Sequence, residues 1–283
     1  MPCALGFVVP TRDRSGALSR DETMALRDLY HRWVPDPVRF PIGRVRRGLI
    51  DRGLRLLGRH GALPPRSMLQ RVQSTPWAME YLDVGRRCAD TLRQELAGAG
   101  LGPDREATVL DFGCGLGRTL RHFGETGWRL HGCDVDAEMI AWCRGALARR
   151  LPGVDLRVTT PEPPLPYDSE TFDALWAISV FTHFPTRLQG AWAAELARIL
   201  APGGLAIVTT MGPWVFEPLP PGDVASSAIE GFRFVPAGVD FNDSAAIHDE
   251  AGVRHFFEPR FEVLAWRRGG LDGFQDLTLL RRR

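Results

Sequence analysis

A doubly wound α/β fold, with a mostly parallel sheet, is predicted by three observations: strand and helix patterns alternate from Ala107 onward, a glycine-rich turn follows the first strand, and an acid closes the second. The segments 107–113, 128–134, 154–160, 172–179 and 204–211 read as strands, being short apolar runs bounded by turn residues. Between them, 116–124, 137–150 and 191–200 carry helical spacing. A helix over Trp77–Leu96 precedes this series, and another, over 248–257, follows it. In such sheets ligands bind outside the carboxyl ends of the strands, so the site is expected there.

The 283 residues are 44% hydrophobic and 24% charged, enough to build a full core and too apolar for disorder. A net charge of +1 excludes a global field for nucleic acid, so no nucleic-acid partner is expected. The five cysteines are scattered, odd in number and without a CxxC pair, which fits a reducing cytoplasm and no zinc. Neither a signal peptide nor a membrane span is expected, and no metal site emerges from the spacing of His, Cys and acids.

Residues 1–75 are rich in Arg and Pro and read as a mostly helical extension, with helical patches at Asp21–Trp33 and 42–57 interrupted by Pro35, Pro37, Pro41, Pro64 and Pro65. In the second patch Ile42, Val45, Leu49, Ile50 and Leu54 form an apolar stripe among arginines. Two readings stay open: weak contact of 42–57 with a membrane surface or a protein, or packing on the chain's own domain. Residues 76–283 read as the α/β domain, interrupted by a Pro-rich insertion at 212–247.

The sharpest motif is VLDFGCGLGR, Val109–Arg118. Its glycines let backbone approach a ligand, and the loop is expected to open into a helix. Asp111 before the turn is a poor neighbour for a pyrophosphate and a good one for a cation. Asp134 ends the next strand about twenty residues on, the spacing at which an acid meets ribose hydroxyls.

Together these residues resemble the class I S-adenosylmethionine-dependent methyltransferases, as do ETFDALWAISVFTHFP and LARILAPGGLAIVTT, over roughly Tyr81–Met211. The C-terminal FEVLAWRRGGLDGFQDLTLLRRR resembles the family's terminal antiparallel hairpin. The resemblance implies a Rossmann-like, seven-stranded sheet and S-adenosylmethionine as cofactor, with S-adenosylhomocysteine as product. It implies that Phe112, Gly113, Cys114, Gly115 and Gly117 bind the cofactor, Gly113, Cys114 and Gly115 along its methionine portion, with Asp111 at its amino group and Asp134 on the ribose. Val135 then flanks the adenine, Ile178 and Ser179 lie near the sulfonium, and Tyr81 or Arg86 closes over the carboxylate. The segment VTTPEPPLPYDSETFD departs from the family's acidic adenine contact, with Thr160 or Glu162 as substitutes.

His183, just past the fourth strand, is the candidate general base, with a loop-capping role equally open. His248 and His255 are expected to share one helix face as surface or packing residues. The aromatics of the insertion, Trp214, Phe216, Phe232, Phe234 and Phe241, are read as a lid or wall for the acceptor. The expected function is methylation, at oxygen, of a small-molecule or glycan-like acceptor in a biosynthetic pathway. The alternatives are a cofactor-binding module without chemistry, a nicotinamide oxidoreductase and an RNA methyltransferase.

Overall fold

Both faces of the central strands are apolar, and this decides the architecture. The computed structural model describes residues 36–58, 60–73, 75–216, 225–226, 229–235 and 244–283. The helix expected at Asp21–Trp33, and Phe241 of the insertion, lie outside the described residues. The described residues divide into two units between Gly53 and Leu54.

The helices are α1 (Asp36–Leu57), α2 (Arg66–Gln73), α3 (Ala78–Gly98), α4 (Ala137–Leu147), α5 (Thr186–Ile199) and α6 (Glu250–Phe257). The strands are β1 (Ala107–Phe112), β2 (Trp128–Asp134), β3 (Asp155–Val158), β4 (Phe172–Ala177), β5 (Leu200–Thr210), β6 (Ala225–Ser226), β7 (Phe232–Val235), β8 (Ala245–His248), β9 (Phe261–Leu271) and β10 (Gln275–Arg282). A seven-stranded sheet runs in the order β3-β2-β1-β4-β5-β10-β9. Its first five strands are parallel, and β10 pairs antiparallel with both β5 and β9. Crossovers, through α4 between β2 and β3 and through α5 between β4 and β5, and through turns or loops elsewhere, return the chain so that the parallel strands' carboxyl ends gather on one edge.

Consecutive residues of one strand enter opposite core layers. Leu110, Leu175 and Ala206 pack with Trp192 and Leu196 of α5 and Phe257 of α6. Val109, Trp176 and Ile207 pack with Leu92 of α3 and Ile140 of α4. Strands buried on both faces read as continuous apolar runs, which is why the sequence revealed them.

Several local expectations change. Residues 116–124 form turns ending in a 3-10 segment, Leu120–His122, instead of an α-helix. Gly117 sits at φ +64, and α3 presses so closely that a Cβ on Gly85 would lie 2.1 Å from the Arg118 carbonyl oxygen. A left-handed residue at 117 interrupts the run of right-handed dihedrals that a helix needs. The helix read as starting at residue 42 starts at Asp36, with Pro37 in its first turn, where an N–H has no partner to lose. Pro41 is accommodated inside it. The second unit also starts before residue 75, because Leu69 of α2 is fully buried with Tyr81, Leu116 and Met139. No helix among the described residues is long and apolar enough to cross a membrane.

The insertion carries a three-stranded antiparallel sheet, β6-β7-β8. Its strand β8 is stitched to the domain where Ala246 N–H donates to the Thr182 carbonyl (2.7 Å) and His248 N–H to the Met211 carbonyl (2.9 Å). His248 therefore ends a strand and does not share a helix face with His255. It is fully buried, its pKa is lowered to about 3 by burial, and its Nε2 donates to Gln189 Oε1 at 3.1 Å. The donor role follows because the Gln189 amide nitrogen is already donating to the Phe181 and Phe184 carbonyls.

Trp176 is fully buried with its ring centroid 4.7 Å from that of Phe123. Trp176→Ala is expected to cost about 3–5 kcal/mol, read as a lowered denaturation midpoint with an unchanged m-value.

Candidate functional site

The carboxyl ends of β1, β2 and β4 border a cavity of about 740 Å³, within the size range of small-molecule sites. Its floor is the glycine turn, and β2 holds that turn in place. The N–H groups of Gly113 and Cys114 both donate to the Cys133 carbonyl, at 2.9 and 3.0 Å. Gly115 N–H donates to Asp134 Oδ2 at 2.7 Å, while Asp136 N–H donates to Asp134 Oδ1 at 2.9 Å. Gly113 has φ +74, and a Cβ there would lie 2.4 Å from Val180 Cγ2, so only glycine fits. Each Asp134 oxygen retains acceptor capacity beyond these bonds. Burial pushes the Asp134 carboxyl above its ordinary pKa, against the pull of those backbone donors.

Asp111, 3% exposed, also lines the cavity. Burial pushes its pKa up to about 7; the neighbouring Asp134 charge adds to this and the Arg118 cation opposes it. Arg118 lines the same cavity and makes no side-chain hydrogen bond among the described residues. The arrangement is a negative pole and a positive pole on one wall.

The other candidates divide. Phe112, Cys114, Val135, Thr160, Ile178 and Ser179 line the cavity with the residues above. Val135 is 55% exposed at the mouth, and Thr160 Oγ1 donates to the Glu162 carbonyl at 2.6 Å. Tyr81, Arg86 and Gly117 do not line it. Tyr81 is fully buried beneath the turn, its hydroxyl donating to the Leu116 carbonyl at 2.8 Å. Arg86 points to its own helix surface, paired with Asp83 and Asp90 at 3.2 and 3.1 Å. Both lie on α3, Tyr81 on its buried face and Arg86 on its exposed one, and neither borders the cavity. Gly117 instead packs against α4, where a Cβ would meet Leu147 Cδ1 at 2.7 Å.

His183 lines the cavity, and its Nδ1 lies 3.1 Å from the Ser244 carbonyl. A carbonyl only accepts, so Nδ1 carries the proton and the Nε2 lone pair stays available. The insertion thus sets the His183 tautomer through the residue just before β8. Its described aromatics play a different part from the expected wall. Phe232 and Phe234 pack into the core layer of α5 and α6, and Trp214 donates to Asp276 Oδ1 at 2.9 Å. None of Trp214, Phe232 and Phe234 lines the cavity, and the side chain of Phe216 lies outside what the structure describes.

Sequence reasoning missed Arg71, Arg118, Asp136 and Thr159, all cavity residues. Asp136 was legible as a helix N-cap: its side chain accepts from Glu138 and Met139 N–H at the start of α4. Arg71 of α2, ion-paired with Asp136 and with Glu138 (2.7 Å), had no local signal. Thr159 hides behind its Pro-rich neighbours; its N–H donates to the Asp134 carbonyl at 2.9 Å.

Residues 110–208, which carry the glycine turn, β2, β4 and β5, match the family described as a methyltransferase domain. Over those residues the chain is a methyltransferase domain. The methyltransferase sheet order with its antiparallel hairpin agrees with the fold of a solved S-adenosylmethionine-dependent methyltransferase from Aquifex aeolicus. That structure is 16% identical, has a TM-score of 0.52, and is matched over 77% of this chain and 98% of its own. Among curated relatives, a malonyl-(acyl-carrier protein) O-methyltransferase of Enterobacter lignolyticus is 33% identical over 139 residues, 49% of this chain and 51% of its own length. Methyltransferase GfsG of Streptomyces halstedii is 34% identical over 129 residues, 44% of this chain and 43% of its own. The chain thus spans about half the length of these curated relatives.

Because the folded pKa of Asp111 stands near 7 against an ordinary 3.8, burying its charge costs stability that is lost as pH rises through that interval. Asp111→Asn removes the charge. Without ligand, it is expected to stabilise the domain at about pH 8 by up to roughly 4 kcal/mol and by much less at about pH 4, as paired denaturation curves would register.

Proposed function

We propose that this protein transfers the methyl group of S-adenosylmethionine to an oxygen of a small-molecule or glycan-like acceptor in a biosynthetic pathway. One observation carries the reading: a single cavity combines a buried acid, an acid with spare lone pairs at the glycine turn, and a histidine with an unprotonated nitrogen. The donor set suits the cofactor. Asp111 answers an ammonium group, Asp134 accepts from ribose hydroxyls, and Val135 offers apolar surface to the adenine at the mouth.

When bound, S-adenosylmethionine supplies a methyl group on a positively charged sulfur. The chain's own residues then have two tasks, alignment and proton removal. His183 Nε2 would take the acceptor hydroxyl proton, leaving that oxygen to receive the methyl group that the bound cofactor would supply. The Ser244 carbonyl, hydrogen-bonded to Nδ1–H, steadies the imidazolium formed. Oxygen as the methylated atom is supported by this base and by two relatives, a malonyl-(acyl-carrier protein) O-methyltransferase and a ubiquinone biosynthesis O-methyltransferase.

Incubation with methyl-labelled cofactor and a panel of hydroxyl-bearing metabolites and sugars should give time-dependent S-adenosylhomocysteine with one acceptor class. Binding without turnover across the panel would replace the enzyme by a binding module. His183→Ala is expected to lower kcat by about 10²–10⁴-fold while S-adenosylhomocysteine affinity holds. A variant turning over at the wild-type rate would remove His183 from the chemistry.

A further inference from the structure

Behind the cavity wall, Ser179, Thr209 and Gln275 close a ring of hydrogen bonds. Ser179 N–H donates to Thr209 Oγ1 at 2.9 Å, Thr209 Oγ1 donates to Gln275 Oε1 at 2.6 Å, and Gln275 Nε2 donates to Ser179 Oγ. The three residues come from the loop after β4, from β5 and from β10. Ser179 holds φ +58, a left-handed conformation that a serine adopts only where its surroundings enforce it. Here the ring enforces it, from a carboxamide only 7% exposed.

The ring also fixes polarity. An amide nitrogen can only donate, so Ser179 Oγ is the acceptor in its bond with Gln275 and keeps its own hydrogen for another partner. Ser179 lines the cavity together with Arg118. A hydroxyl obliged to donate and a guanidinium without a side-chain hydrogen bond are two donors suited to a group that only accepts. A carboxylate is such a group, and with Asp111 answering an ammonium the wall is matched to an α-amino-acid terminus.

We infer that Gln275 is a positioning residue that turns the Ser179 hydroxyl toward the carboxylate at the amino-acid end of the bound cofactor. This rests on reading the cavity as an S-adenosylmethionine site. The role lies far in sequence from the glycine turn, on the antiparallel strand β10, and is exerted through Ser179 without contact to the ligand.

Gln275→Glu keeps the side chain's length and its acceptor for Thr209 but removes the donor, so the Ser179 hydrogen turns to the introduced carboxylate. Calorimetry above the pH range in which Asp111 titrates should compare S-adenosylhomocysteine with 5′-methylthioadenosine, which shares the adenosine and thioether but has no carboxylate. Gln275→Glu and Ser179→Ala are each expected to weaken S-adenosylhomocysteine about tenfold. They should leave 5′-methylthioadenosine within about twofold, and the double variant should bind no worse than Ser179→Ala alone. Wild-type-like affinity for both compounds, or equal loss of both, would overturn the inference while the cofactor site stands. Wild-type protein that binds neither compound would overturn the site reading and this inference with it.

Discussion

The site depends on a short chain of hydrogen bonds between the end of β2 and the glycine turn after β1. The Cys133 carbonyl and the Asp134 carboxylate together accept from three consecutive N–H groups, Gly113, Cys114 and Gly115. Left-handed glycines have little intrinsic preference for one conformation, so these bonds give the turn its shape. The same carboxylate accepts from Asp136, and Asp136 caps α4. One half-buried acid thus couples two strand ends, a turn and a helix start, and any ligand that meets Asp134 meets a group already held in place.

Asp111 shows what such preorganisation costs. A carboxyl fully enclosed, with a second acid nearby, resists ionisation, and burial outweighs the partial compensation from Arg118. The residue is unfavourable for the ligand-free fold and favourable once a cation sits beside it. Buried charges of this kind concentrate at sites where binding restores what folding gave up.

The insertion between β5 and α6 works by stitching. Its strand β8 bonds to Thr182 and Met211, its Phe232 packs between His248 and Phe256, and Ser244 sets the proton on His183. The segment read as a wall of aromatic rings is therefore, in its described residues, a clamp on the loop that carries His183. The neutral His248, hydrogen-bonded to Gln189, tightens the same loop from α5.

How much was legible in advance follows from the range of each interaction. By itself the sequence determined the parallel strands, since Leu110, Trp176 and Ile207 sit in runs that only two-sided burial explains, and it determined the glycine turn and the acids Asp111 and Asp134, whose spacing is local. Tertiary packing decided the rest: that 116–124 coils under Gly85, that Tyr81 and Arg86 face away from the cavity, that Arg71 and Arg118 border it, and that Gln275 reaches Ser179 across β5. Periodicity reports which face of an element is apolar. It carries no record of which distant side chain completes a hydrogen bond, because that pairing exists only once the sheet has brought β4, β5 and β10 side by side.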